Sequence, residues 1–95
     1  MSSYIYILAS ARNGTIYIGV TSDIIKRVWQ HKERLGSKFT KDNNVKILVH
    51  FEEYQDIGEA IHREKRLKKY TRNAKLKLIE KSNPNWKDLY DDICN

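Results

Sequence analysis

Two alternating runs near the start of the chain, Tyr4-Ile5-Tyr6-Ile7-Leu8 and Thr15-Ile16-Tyr17-Ile18-Gly19-Val20, carry tyrosines at strand spacing. Paired as a β-hairpin, they sort Ile5, Ile7, Ile16 and Ile18 onto one face and Tyr4, Tyr6, Tyr17 and Gly19 onto the other. Any register that pairs an even residue with an odd one gives the same sorting, because side chains alternate with period two. The isoleucine face is the core side. The tyrosine face is either a second packing layer or the wall of a pocket, and a pocket wall carrying phenols is where chemistry is expected. The plain reading remains open, since aromatic residues are ordinary strand formers whose hydroxyls reach water.

Two further features are unusual for their elements. Arg27, His31 and Arg34 fall at i, i+4 and i+7 on a helix and form a polar stripe beside its apolar arc. Glu64 falls in the middle of the apolar arc of a later helix, between Leu67 and Ala60 on one side and Ile57 and Ile61 on the other. A carboxylate there is costly unless it is paired, protonated or bound to a cation. An i,i+4 ion pair with Lys68 is the structural explanation, and a bound cation is the functional one. His50 and His62 have no partners at ligand spacing, and a His/Cys metal site is not expected.

The elements that must position these residues are legible in outline. The first strand is expected from Tyr4 to about Ala9, then an Asn13-Gly14 turn, then a strand from Thr15 to about Val20. A helix follows from about Asp23 to Leu35, stopped by Gly36, with Ile24, Ile25, Val28, Trp29 and Leu35 as its apolar arc. The segment Ser37 to Asn44 reads as a polar loop with Phe39 as its large apolar residue, and Val45 to Phe51 reads as a third strand. A second long helix opens at Asp56, with capping-box spacing to Glu59, and runs to about Tyr70. The basic run Arg63, Lys65, Arg66, Lys68 and Lys69 reads as its wet side. A shorter helix is expected from Asn73 to about Lys81, and then a tail in which Trp86, Leu89 and Ile93 dock on the body.

Composition bounds the rest. Ninety-five residues with 40% hydrophobic and 32% charged side chains fit one small folded domain. A net charge of +6 favours a polyanionic partner. No apolar run is long enough to span a bilayer, no signal-peptide layout is present, and Cys94 stands alone, so a reduced, cytoplasmic protein is expected.

Taken together, Tyr4-Ile5-Tyr6, Tyr17-Ile18-Gly19, Arg27, His31, Glu64 and the ending Asn83-Pro84-Asn85-Trp86-Lys87-Asp88-Leu89 resemble the GIY-YIG nucleases, and especially their small stand-alone bacterial members. The resemblance covers nearly the whole chain. It departs at Tyr4, which replaces the first motif's glycine, and at a late asparagine, for which Asn73 and Asn83 are the candidates. It implies an α+β fold, a small three-stranded antiparallel sheet flanked by helices, with a core of about residues 3–81 and a docking tail of about 82–95 in one domain. It implies a metal-dependent endonuclease acting on DNA, with RNA open, selective for a structure or an end and linked to repair or processing. Magnesium, or another divalent cation such as manganese, is the implied cofactor, with Glu64 as its ligand. Tyr17 would orient or deprotonate the attacking water, Arg27 would meet the phosphate, and Tyr6 and His31 would hydrogen-bond to the water, to Tyr17 or to the phosphate. A phenol whose pKa starts near 10 acts as a base only beside positive charge. Arg12, Lys26, Arg34, Lys38, Lys41 and Lys68 are the expected phosphate contacts, and a monomer is expected. The competing expectation is a non-catalytic basic module that kept the fold and grips nucleic acid by its backbone.

Overall fold

The computed structural model describes residues 2–94. Its sheet is antiparallel with the order β2-β1-β3, so β1 (Ser3–Ala9) lies between β2 (Ile16–Thr21) and β3 (Ile47–Tyr54). The β1–β2 register pairs Tyr6 with Gly19 and Leu8 with Tyr17, an even residue with an odd one throughout. Tyrosines and isoleucines therefore separate onto opposite faces, as the alternation requires. The turn between the strands places Asn13 at φ 60°, a conformation asparagine tolerates, and Arg72 pins it through its guanidinium to the carbonyls of Asn13 and Gly14.

Both faces of the sheet are covered. Ile5, Ile7, Ala9, Ile18 and Val49 pack against Ala60 and Leu67 of α3 (Ile57–Lys68), Ile79 of α4 (Arg72–Ser82) and Trp86. On the opposite face Tyr6, Leu8 and Leu48 pack against Ile24 and Val28 of α1 (Ile24–Lys32) and against Val45. Leu89, Tyr90 and Ile93 of the tail close over this second cluster, the last two from α5 (Tyr90–Cys94). A register shift between Ile7 and Leu8 opposite β3 puts one extra residue into that strand. It turns Val49 to the layer of Ile5 and Ile7 and Leu48 to the layer of Tyr6 and Leu8, the reverse of what plain alternation from Phe51 would give. The tail is stapled by Asp88, which pairs with Lys32 and accepts from the Leu48 amide at 3.2 Å, and by the Asn83 side chain. Asn83 donates to the carbonyls of Val49 and Lys87 and accepts from the Lys87 amide, so this buried asparagine serves the tail.

Several local expectations are corrected. The first helix ends at Lys32, and the left-handed position after it is taken by Arg34 at φ 62° instead of by Gly36. Its inward stripe is Ile24, Val28 and His31, so Ile25, Trp29 and Leu35 of the expected arc are exposed. The histidine occupies the turn where the apolar arc would have continued. The segment after Gly36 is not all loop: Ser37 caps a short helix, α2 (Lys38–Asp42), by accepting from the Thr40 amide. The third strand is displaced toward the C-terminus, and Val45 is buried just ahead of it. In α3, Asp56 caps through the Gly58 amide at 3.0 Å. The side of α3 turned from solvent is Ala60, Arg63, Glu64 and Leu67, whereas Ile57 and Ile61 are exposed. Arg63 is thus not on the wet side. It forks onto Glu52 of β3 at 2.9 and 3.2 Å, and Glu52 also accepts from Tyr54 and bonds the His50 ring.

Candidate active site

Tyr6 and Tyr17 sit diagonally across two adjacent strands, their ring centroids 6.3 Å apart. Directly opposite Tyr6 is Gly19, and a Cβ there would lie 2.4 Å from the Tyr6 hydroxyl oxygen. The glycine of the second motif therefore makes room for a phenol. His31 arrives from α1 with its ring 5.8 Å from Tyr6 and 5.5 Å from Tyr17, closing a triangle of three aromatic rings. Gly36 lets the following loop pass against the imidazole, since a Cβ at that position would be 2.3 Å from Nδ1. Tyr6 is fully buried, His31 is 5% exposed, and Tyr17 is half-buried, so Tyr17 carries the cluster to the surface.

A directed hydrogen-bond chain runs through this triangle. Thr40 Oγ1 donates its single proton to the Ser37 carbonyl at 3.0 Å. With that proton on the carbonyl, the 2.9 Å contact with His31 Nδ1 is one in which Nδ1–H donates to Thr40. A neutral imidazole protonated at Nδ1 leaves Nε2 as an acceptor, and the Tyr6 hydroxyl lies 3.3 Å from Nε2. The Arg27 charge is felt at the Tyr6 hydroxyl, and a phenol that keeps its proton can donate it to Nε2.

Electrostatics favours these protonation states. Burial, helped by the neighbouring Arg27 charge, lowers the His31 pKa from its ordinary value and keeps the ring neutral. Burial pushes the Tyr6 phenol up to about 12, and Tyr17 adds to that rise. The Arg27 hydrogen bond and charge oppose it, and the Glu64 charge adds a further small rise. Tyr6 is therefore a protonated phenol at neutral pH, fully buried behind the half-buried Tyr17.

Glu64 sits on the inward side of α3 with its side chain 16% exposed, and its charge is felt at Tyr6. Its Oε2 is 3.2 Å from Lys68 Nζ, so the ion pair foreseen as the structural explanation is present. Among the described residues no three His, Cys, Asp or Glu side chains cluster into a cage for a cation. A single carboxylate still suits magnesium, which keeps several waters and takes phosphate oxygens for the rest. Lys68 engages one of roughly four acceptor positions on that carboxylate, so the donor chemistry of Glu64 fits such an ion.

The expected phosphate contacts divide. Lys26 lines one groove with Arg27 beside the start of α1. Lys68 lines a cleft with Tyr17. Lys38 and Lys41 are exposed on α2, Lys38 paired with Asp42. Arg34 donates to the Lys41 carbonyl at 3.4 Å and ties α1 to α2, and Arg12 is exposed at the hairpin tip. Thr40, Ser37, Gly36 and Lys75 escaped the sequence reading. The Ser37-to-Thr40 spacing was the available signal, because it matches a helix N-cap and its third residue.

The chain matches the GIY-YIG catalytic domain over residues 2–77. The UPF0213 proteins of Staphylococcus aureus strains Mu3 and N315 are each 36% identical to it over 80 residues, covering 84% of this chain and 98% of theirs. The solution NMR structure of the UPF0213 protein of Bacillus halodurans superposes with a TM-score of 0.57, at 27% identity and over 93% of each chain. Sequence and fold agree, and this chain belongs to the GIY-YIG family of nucleases.

Proposed function

We propose that this chain is an active, metal-dependent endonuclease that hydrolyses phosphodiester bonds in DNA, selecting a structure or an end in repair or processing. One observation carries the reading: a neutral imidazole, a buried phenol and a half-buried phenol share one triangle, and the Arg27 charge is felt at the buried phenol's hydroxyl. A packing layer has no need of a hydrogen-bond chain leading from a phenol through an imidazole and a hydroxyl to a backbone carbonyl.

Tyr17, the phenol that reaches the surface, orients the attacking water. As phenolate it takes up the water's proton as the water oxygen bonds to phosphorus and the P–O bond to the leaving strand breaks. The departing alkoxide takes a proton from solvent, and Tyr17 returns its own to solvent. His31, its Nε2 lone pair engaged by the Tyr6 hydroxyl, packs against Tyr17 and holds the triangle together. Arg27 presents a permanent charge to the phosphate as negative charge builds. Glu64 would hold magnesium, or manganese, and the ion when bound supplies a Lewis acid for the phosphate oxygens. Lys26 and Lys68 flank this centre and position the backbone by charge.

The Glu64–Lys68 ion pair favours a second reading, a binding module, because it satisfies the carboxylate without a metal. A panel of labelled duplex, single-stranded, flap and junction substrates, with magnesium and with chelator, separates the two. Magnesium-dependent cleavage of at least one substrate is expected. Binding without cleavage across the whole panel would establish the module.

A further inference from the structure

Phe39 is a large apolar side chain with no place in either core. It is 48% exposed on the short helix α2, and its ring rests stacked on Tyr17, 6.2 Å between centroids and 29° between planes. In front of the pair is a cleft of about 260 Å³, lined by Ile16, Tyr17, Ile18, Phe39, Lys68 and Lys75. The cleft wraps the open edge of the sheet, since β2 has no strand beyond it and Tyr17 points to the opposite face from its two isoleucine neighbours. Lys75 comes from α4 and Lys68 from α3, so two ammonium groups from different helices flank one aromatic platform.

We propose that this cleft is a subsite for one unpaired nucleobase of a single strand, stacked on Phe39, with its neighbouring phosphates drawn by Lys68 and Lys75. The inference rests on the nucleic-acid reading of the site and names the part of the substrate that reading leaves open. Three features point to this ligand. The volume is below the roughly 300–1,000 Å³ of pockets for larger ligands and suits one planar ring. An aromatic face beside cations is how single strands are held without reading sequence. The platform lies directly on Tyr17, so a base seated there puts an adjoining phosphate beside Tyr17. A base flipped out of a duplex needs an enclosed pocket to repay its unstacking. A cleft whose ring is half exposed offers instead an open shelf to a strand already unpaired.

The test is equilibrium binding of a short oligodeoxynucleotide, with and without one abasic position, to wild type, Phe39→Ala, Phe39→Leu and Phe39→Trp in chelator. Stacking of one base predicts that Phe39→Ala and Phe39→Leu weaken binding of the intact strand by roughly 5- to 150-fold, the scale of a lost base–aromatic contact. Phe39→Trp should retain affinity, because it keeps a π face. The loss should vanish when the abasic position coincides with the shelf, and duplex binding should be unaffected. Melting temperatures confirm that each variant is folded. An equal loss for duplex and single strand, or a loss that persists at every abasic position, would show that Phe39 only props Tyr17 and would overturn the subsite. Binding with this pattern by a protein that cuts nothing would end the nuclease reading and leave the subsite standing.

Discussion

Gly19 lies directly across the sheet from Tyr6, and the hydroxyl of that tyrosine occupies the space a side chain at position 19 would need. The last letter of the second motif is therefore a steric term in the geometry of the first. Gly19→Ala should force a fully buried ring to move, costing about 1–3 kcal/mol of stability. It should also draw the Tyr6 hydroxyl away from His31 Nε2. Thermal unfolding and a cleavage assay measure both effects, and an unchanged melting temperature would show that Tyr6 has room to yield.

Tyr17→Phe keeps the ring that stacks on Phe39 and removes only the hydroxyl. Single-turnover cleavage should fall by roughly 10²–10⁴, the usual scale of general acid–base assistance. The melting temperature should barely move, because the side chain is half-buried and its ring contacts survive. Near-normal cleavage would transfer the water-handling role to another group of the triangle.

Glu64→Ala tests the metal reading cleanly because its structural cost is small. Lys68 is 54% exposed and is left facing water, so removing the largely buried Glu64 costs about 1 kcal/mol. Magnesium-dependent cleavage should be abolished while the fold is kept, and DNA binding should hold or strengthen as one negative charge is lost. Cleavage that survives both this substitution and chelator would rule out the proposed role of Glu64.

Thr40 is expected to set the tautomer of His31 without touching substrate. Thr40→Val preserves shape but removes the acceptor for Nδ1–H, leaving an unsatisfied buried donor at a cost of about 1–3 kcal/mol. The imidazole should then carry its proton on Nε2, which nitrogen NMR shifts report directly, and cleavage should fall on the order of 10- to 100-fold, as for other residues that orient a functional histidine. Thr40→Ser keeps the oxygen and should restore both. An Nδ1–H tautomer persisting in Thr40→Val would break the proposed chain.

Stability should fall in two acid stages. In the window below 6.5 and above the lowered His31 value, the unfolded chain binds a proton that the native chain refuses, so stability drops as pH falls there. Glu52 is held well below the usual carboxylate range, first by His50 and then by Arg63 and Tyr54. Its contribution is complete above about 4.5, the ordinary value, and is lost as pH falls below it. Glu52→Gln should flatten the lower stage and leave the upper one, as read from melting temperature against pH. A single stage, unaltered in that variant, would contradict the assignment.

Alternation and spacing alone determined the hairpin, the separation of tyrosine from isoleucine faces and the family motifs, because these depend on periods of two and 3.6 that no tertiary contact alters. Asp23 and Asp56 as helix starts were equally legible, since a cap is a local hydrogen bond. The tail was legible too, because Trp86, Leu89 and Ile93 are apolar residues with nowhere else to go. Tertiary packing decided the rest. Which side of α1 faces inward depended on where His31 could meet Tyr6, and that contact exposed Ile25 and Trp29 against the apolar arc. Gly36 looked like a helix stop, but only the fold shows an imidazole passing where its side chain would be. The direction of the proton chain rests on Thr40 and Ser37, whose contact with His31 exists only once α2 folds back over α1. Glu64 divides in the same way. The sequence marks a carboxylate in a dry stripe, and three-dimensional placement brings it within electrostatic reach of Tyr6 while leaving Lys68 beside it in water.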